Sequence, residues 1–242
     1  MQWDPPHEWD ELRAALEAIG PGLPQRPKAI VVITAHWEAR EIRIASAEQP
    51  HLIYDYGGFP RHTYELRYDA PGSPEVATRV AELLSGAGID NQLDPAHGWD
   101  HGVFIPLKVM YPNEDIPIVA MSLHRSLDPE LHLKIGEALA PLRDEGVFIV
   151  GSGSSFHHFG NFGSPKARVF DDWLNDTMAA PDAIRRRKLV EWEKAPMARI
   201  AHGREEHLLP LHVAAGAATD VPARVAWRGV VMQTPMSCFL FD

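Results

Sequence analysis

The sequence predicts a single α/β domain over residues 1–242, with a central mixed β-sheet flanked by helices. Three apolar runs, at residues 28–35 (KAIVVITA), 115–122 (DIPIVAMS) and 146–150 (GVFIV), are typical of strands buried on both faces. Segments with helical spacing alternate with these runs, as in other α/β sheets. With 242 residues, of which 45% are hydrophobic, the chain can bury one well-packed core.

The remaining elements follow from local patterns. A first helix is predicted by apolar residues at helical spacing that end before Gly20, namely Trp9, Leu12, Leu16 and Ile19. The alternating segment 41–45 (EIRIA) is predicted to form a hairpin with the first strand. Further helices are predicted over residues 71–86, 129–143, 171–178, 183–193 and 207–218, and closing strands over 224–227 and 237–241.

Composition excludes several classes of partner. A formal net charge of −10 and a pI near 5.7 argue against nucleic acid or an anionic membrane surface as the main partner. No run approaches the roughly 20 apolar residues that span a bilayer. The single cysteine, Cys238, excludes an internal disulfide framework and predicts a reducing, cytoplasmic location.

Histidine is abundant, with 13 residues, and several lie where strands are predicted to end. His36 follows the first strand, His157 and His158 follow the run GVFIV, and His101 and His207 begin predicted helices. Ligands bind beyond the carboxyl ends of strands in α/β sheets, and imidazole suits both zinc and iron(II). The pattern therefore predicts a metal enzyme, although each histidine could also be an ordinary hydrogen-bonded residue. No short zinc motif such as HExxH is present.

Six segments in order resemble the class III extradiol ring-cleaving dioxygenases of the DODA type. They are WDPPHEWDEL, AIVVITAHWE, YDYGGFP, WDHGVFIPLKVMYP, VGSGSSFHHF and HGREEHLLPLHVAAGAA, and they extend from Trp3 to Ala218. The resemblance implies an α/β fold with one nonheme metal, normally Fe(II). It also implies a reaction in which both oxygen atoms of O₂ enter a small catechol beside its hydroxyl groups.

The same resemblance implies roles for individual residues. His36 and His207 match metal ligands, and His157 matches an acid/base residue that also lies within reach of the metal. His101 matches a histidine beside the substrate hydroxyls, whereas His158 is expected to affect the site only indirectly. Residues of YDYGGFP match the substrate-pocket wall, although an ordinary tight turn with packed aromatic residues is the alternative; they are Tyr54, Asp55 and Phe59.

One departure from the family pattern concerns the N-terminus. The family normally has a short strand ending in His-Gly ahead of the WDPP segment, and this histidine is the third metal ligand. The strand is expected to be missing here, because Met1 and Gln2 directly precede Trp3. Either the start of the protein is misassigned, or the site keeps His36 and His207 and is completed by His157 or water.

The sequence is consistent with three functions. The first is an Fe(II)-dependent extradiol dioxygenase that acts on a small, DOPA-like catechol with O₂. The family resemblance also implies small homo-oligomers. The second is a zinc hydrolase on the same scaffold, for which Glu38 is the only evident general base. The third is an inactive, truncated relative that only binds metal or ligand.

Overall fold

A computed structural model describes residues 6–241, so residues 3–5 of the WDPP segment lie outside the described part. The strands are β1 (Ala29–Ala39), β2 (Ile42–Ala45), β3 (Asn91–Asp94), β4 (Ile118–His124), β5 (Val147–Ser152), β6 (Arg224–Val231) and β7 (Thr234–Leu240). The helices are α1 (Asp10–Gly22), α2 (Pro74–Gly86), α3 (His101–Met110), α4 (Pro129–Leu139), α5 (Pro141–Asp144), α6 (Ala167–Met178), α7 (Asp182–Val190), α8 (Ala198–Ala201) and α9 (Leu209–Ala218).

The central sheet is mixed, as predicted, with the strand order β3-β2-β4-β1-β5. β1 is parallel to both of its neighbours, so that Ile30 lies opposite Ile118 of β4 and Phe148 of β5. β2 is antiparallel to β4 and parallel to β3. The parallel core brings the carboxyl ends of β1, β4 and β5 to one edge of the sheet, where functional groups usually lie in α/β proteins.

The predicted hairpin between β1 and β2 is wrong, because β4 lies between these strands. Both sides of β1 are occupied by parallel strands. Its last residues, Glu38 and Ala39, pair with the end of β4 after a shift in register that follows Ile33. The chain therefore passes the end of β4 before β2 begins. The alternating pattern predicted a strand correctly but carried no information about its partner.

Helices cover both faces of the sheet. Alternate residues of β1 point to opposite faces, so Val31 and Ile33 pack with α2, α4 and α9, while Ile30 and Val32 pack with α3. The continuous apolar run in β1 is therefore explained by burial on both faces. α1 packs on the α3 side through partly buried residues that include Leu16.

Helices α4 and α9 cross at glycines. A Cβ added at Gly136 would lie 2.1 Å from Val213 O, and one added at Gly216 would lie 2.1 Å from Leu133 O. Only glycine permits this close backbone approach. The crossing fixes α9 against the sheet, and with it the position of His207 just before the helix.

Two other predictions differ from the structure in detail. The helix expected over residues 129–143 divides into α4 and α5, because Pro141 cannot continue the hydrogen bonding of α4. The closing strands are confirmed, but β6 and β7 form a separate two-stranded hairpin and do not join the central sheet. Met232 and Gln233 form its turn, and both have the positive φ that a tight hairpin favours.

β5 was predicted to be buried, yet it is an edge strand of the described sheet, opposite β3, and is mostly half-buried. Its residues line a large, mainly apolar cavity. Other walls of this cavity include Leu12 and Leu16 of α1, Leu211 of α9 and Phe239 of β7. In residues 6–241, no helix has the length and apolar character needed to cross a membrane.

Acid should destabilise the protein through buried His132. Its ring accepts a hydrogen bond from the His124 N–H and donates one to Asp128 O, and burial lowers its pKa to about 4. The pKa in an unfolded chain is about 6.5. Between these values the unfolded state binds more protons than the folded state. The stability that neutral His132 allows is therefore fully present only above pH 6.5. Below that pH, the free energy of unfolding falls by about 1.4 kcal/mol per pH unit.

We expect the variant His132→Gln to reduce this slope in urea denaturation curves recorded from pH 7 to pH 4. His62→Gln, at an exposed position, serves as the control and should keep the wild-type slope. Equal slopes for the two variants would show that His132 is not the source of the acid sensitivity.

Candidate active site

Four imidazole rings from separate segments meet near the carboxyl-terminal ends of β1, which contains His36, and β5. The ring centroids of His101 and His36 are 4.1 Å apart, those of His36 and His207 are 5.0 Å apart, and those of His207 and His157 are 3.4 Å apart. The structure thus gathers the four histidines that the sequence placed at strand ends and helix starts. They form a continuous row of rings.

A small hydrogen-bond network holds His36. Asp100 Oδ1 accepts hydrogen bonds from the Thr34 hydroxyl and from the Gly102 N–H, each at 2.8 Å, and lies 3.3 Å from His36 Nδ1. The His36 N–H in turn donates to Thr34 Oγ1 at 3.2 Å. A Cβ added at Gly102 would lie 2.8 Å from His36 Nδ1 and from Thr34 Oγ1. The glycine of the DHG segment therefore leaves room for the network.

Asp55 orients His101. Its Oδ1 accepts hydrogen bonds from His101 Nδ1 at 2.8 Å and from the His101 N–H at 3.0 Å. Burial opposes ionisation of Asp55, but the hydrogen bonds from His101 outweigh it and lower the Asp55 pKa to about 2. The carboxylate therefore fixes Nδ1 as the protonated nitrogen of His101. In the neutral ring the other nitrogen, Nε2, keeps its lone pair.

The glycines of GSGSSFHHFG allow the loop after β5 to approach the segment that carries His207. A Cβ added at Gly151 would lie 2.3 Å from Pro210 O, and one added at Gly153 would lie 2.2 Å from His207 O. The Ser154 N–H also donates to His207 O at 3.0 Å. This contact between two backbones brings His157, farther along the same loop, next to His207.

The two adjacent histidines have different surroundings. The His157 ring stacks on His207 with an interplanar angle of 19°. His158 Nδ1 lies 3.1 Å from Arg199 O and 2.9 Å from Asn161 Nδ2, so this ring contacts its own loop and the α8 segment. The structure thus places His157, but not His158, among the stacked imidazoles.

Both stacked histidines are neutral at neutral pH. Burial, aided by the neighbouring imidazoles, lowers the pKa of His157 to about 4 and that of His207 to about 2. A metal ion binds the neutral form of imidazole, so no proton must be displaced when a cation binds here. Glu206 Oε1 lies 3.9 Å from His157 Nδ1 and adds a carboxylate to this side of the site.

The side chains fit a divalent metal ion. The described residues contain two groups whose potential ligand atoms lie within 4.8 Å of one another, and each group has two histidines and one carboxylate. Imidazole and carboxylate ligands suit iron(II) and zinc. The predicted ligand set is divided between the groups, which are His36, Asp55 and His101, and His157, Glu206 and His207.

Residues 4–235 match the protein family described as the catalytic LigB subunit of aromatic ring-opening dioxygenase. The chain belongs to this family. A 4,5-DOPA dioxygenase extradiol from Beta vulgaris is 43% identical over 203 residues, which cover 81% of this chain and 75% of that protein. A protein named dioxygenase tasH from Hapsidospora irregularis is 40% identical over 220 residues, with coverages of 84% and 68%.

A solved structure supports the fold. The crystal structure of an uncharacterized protein from Escherichia coli K12 matches with a TM-score of 0.79 and 31% identity, and the match covers 94% of this chain and 91% of that one. The resemblance to DODA-type enzymes is thus confirmed. The LigB-family chain is an extradiol ring-opening dioxygenase, and the family implies a metal cofactor.

The predicted pocket wall of this LigB-family enzyme is only partly where the sequence suggested. Phe59 lines the cavity, as predicted. Tyr56 also lines it, and its ring is edge-on to the His101 ring with the centroids 5.4 Å apart. The Tyr54 hydroxyl donates to Leu66 O at 2.5 Å. Asp55 contacts His101, as described above. Sequence reasoning did not select Tyr56, because an irregular segment does not reveal which side chain faces the cavity.

Three carboxylates close to the site histidines in the sequence have different surroundings. Glu38, the general base considered for a hydrolase, forms a two-point ion pair with Arg204 at 2.5 and 2.6 Å. Asp100 and Glu206 contact the candidate site and were not predicted. Their proximity to His101 and His207 along the sequence was the only available signal, and it does not distinguish them from other acidic residues.

Proposed function

We propose that this chain cleaves the ring of a small, DOPA-like catechol with O₂ and uses one Fe(II) ion. His36 and His207 would hold the ion, with His157 within reach. The observation that supports this proposal most strongly is the convergence of four imidazoles, two of them with strongly lowered pKa values, on one cavity wall. The names of the relatives support the catechol as substrate.

The bound metal would supply a Lewis-acidic, redox-active centre at which a catecholate and O₂ can meet. Around it, each histidine contributes a separate property. His101 donates from Nδ1 to Asp55, so its Nε2 can accept a hydrogen bond from a catechol hydroxyl. His157 is neutral at pH 7 and can accept a hydroxyl proton and later return it. Glu206 would stabilise the resulting imidazolium, because its carboxylate lies 3.9 Å from His157 Nδ1.

The aromatic wall suits a flat substrate. Tyr56 and Phe59 meet edge to face with ring centroids 5.6 Å apart, next to His101. The whole cavity measures about 1750 Å³, whereas small-molecule sites usually occupy about 300–1000 Å³. A single catechol would therefore occupy only the part that the histidines line.

A reconstitution experiment tests this function. The protein is loaded with Fe(II) under anaerobic conditions, mixed with catechol or L-DOPA, and then exposed to O₂. We expect a yellow ring-opened product and the uptake of one O₂ per catechol. The same protein loaded with Zn(II) is the control and should consume no O₂, because zinc has no redox chemistry.

The alternative functions predict different results in this assay. Ester or amide hydrolysis by the zinc form would favour the hydrolase, although the ion pair between Glu38 and Arg204 leaves that carboxylate less available as a base. Metal binding without any turnover would favour the inactive relative. The homo-oligomer and the cytoplasmic location expected from the sequence stay predictions.

A further inference from the structure

Asp100 is a buried carboxylate that contacts His36. The residue is only 3% exposed and directly precedes α3, and its Oδ1 lies 3.3 Å from His36 Nδ1. Its Oδ2 atom is buried and has no hydrogen-bond partner among the described residues. A buried carboxylate oxygen without a hydrogen-bond partner costs free energy of folding, so we expect a functional role for this residue.

The hydrogen bonds that Asp100 accepts bear on which nitrogen of His36 carries the proton. Its Oδ1 accepts from the Thr34 hydroxyl and from the Gly102 N–H, so it acts as an acceptor in this network. The contact of 3.3 Å to His36 Nδ1 is then a hydrogen bond only if Nδ1 carries the proton. In that tautomer His36 Nε2 keeps its lone pair.

We propose that Asp100 is a positioning residue that keeps His36 in the Nδ1–H tautomer and so presents Nε2 to a divalent metal ion. This inference rests on the proposed function of His36 as a metal ligand. Carboxylates that accept a hydrogen bond from a metal-ligating histidine fix its tautomer and its orientation, and their loss typically costs 10- to 100-fold in metal affinity.

A purely structural role is the competing explanation, because Asp100 also caps α3 through its bond to the Gly102 N–H. The variant Asp100→Asn separates the two roles. All three contacts of Asp100 are made by Oδ1, so an asparagine oxygen in that place can still cap the helix and accept from Thr34 and His36. It lacks the negative charge that strengthens the bond from His36 Nδ1. A larger fraction of His36 would then carry its proton on Nε2 and could not bind a metal through that nitrogen.

Asp128→Asn provides a matched control. Asp128 is the capping residue of α4, where its side chain accepts from the N–H groups of Glu130 and Leu131. It has the same local role as Asp100, but its side chain accepts from the helix N–H groups and from none of the four imidazoles. Because Asp128 is exposed and Asp100 is buried, Asp128→Asn measures the effect of losing the charge of a cap at a site without burial.

The experiment measures Zn(II) affinity by competition with a chromophoric chelator, thermal stability without metal, and the tautomer of His36 by ¹⁵N NMR. For Asp100→Asn we expect Zn(II) affinity to fall about 10- to 100-fold, with a larger fraction of His36 in the Nε2–H tautomer. For Asp128→Asn we expect wild-type affinity and a small change in thermal stability.

The outcomes separate this inference from the proposed function. Wild-type protein that binds no stoichiometric Zn(II) would contradict the metal site itself. Wild-type protein that binds Zn(II), together with Asp100→Asn of equal affinity, would overturn the role of Asp100 and leave only its cap. If Asp100→Asn does not fold, the His36 tautomer in unmodified protein decides, since a proton on Nε2 would also overturn the proposal.

Discussion

The variant His157→Ala should lose ring cleavage, with kcat lowered by about 10²- to 10⁴-fold, while it keeps most of its metal. The reason is that His157 is neutral at pH 7 and faces the other imidazoles, so its removal takes away the proton acceptor. The measurement combines O₂ uptake with metal analysis of the Fe(II)-loaded variant.

His158→Ala is the matched control, because its ring contacts Arg199 O and Asn161 and not the row of imidazoles. It should retain activity within a few-fold of wild type. If His157→Ala loses its metal as well, His157 is a ligand and not only an acid/base residue. If it retains wild-type turnover, its assignment to proton transfer is wrong.

The variants His36→Ala and His207→Ala should each lose the metal ion, from about one ion per chain to a small fraction of that. Each substitution removes an imidazole whose position is fixed by the fold. Thr34 and Asp100 hold His36, and the loop after β5 packs against the backbone of His207. Metal analysis after dialysis against a weak chelator measures the loss.

Both variants should remain folded, because the strands that carry the core do not depend on these rings. Circular dichroism provides that check. His62→Ala, at an exposed position in the cavity wall, is the control and should keep its metal. Stoichiometric iron in both His36→Ala and His207→Ala would overturn the ligand assignment.

The parts of the fold that the sequence predicted well are those that a single segment determines. The run KAIVVITA requires burial on both faces, and β1 is buried on both. Strand pairing was harder to predict from the sequence. β2 pairs with β4 and not with β1, and its own residues do not indicate which strand lies beside it. β3 was missed altogether, because its residues NQLD are polar and the strand lies at the sheet edge.

The candidate site shows the same division. Ligands of α/β proteins bind at the carboxyl ends of strands, and this rule together with the family resemblance pointed to His36, His101, His157 and His207. The structure brings the rings of these four residues together. The supporting carboxylates could not be predicted in the same way. The chain has 33 acidic residues, and only contacts across the fold distinguish Asp100 and Glu206 from the rest.

The most direct test is a crystal structure of the Zn(II)-loaded protein, with the ion located by its anomalous scattering. We predict one ion with ring nitrogens of both His36 and His207 at about 2.0–2.1 Å. An ion held by only one of the two histidine–carboxylate groups, or an ion elsewhere in the molecule, would contradict the account.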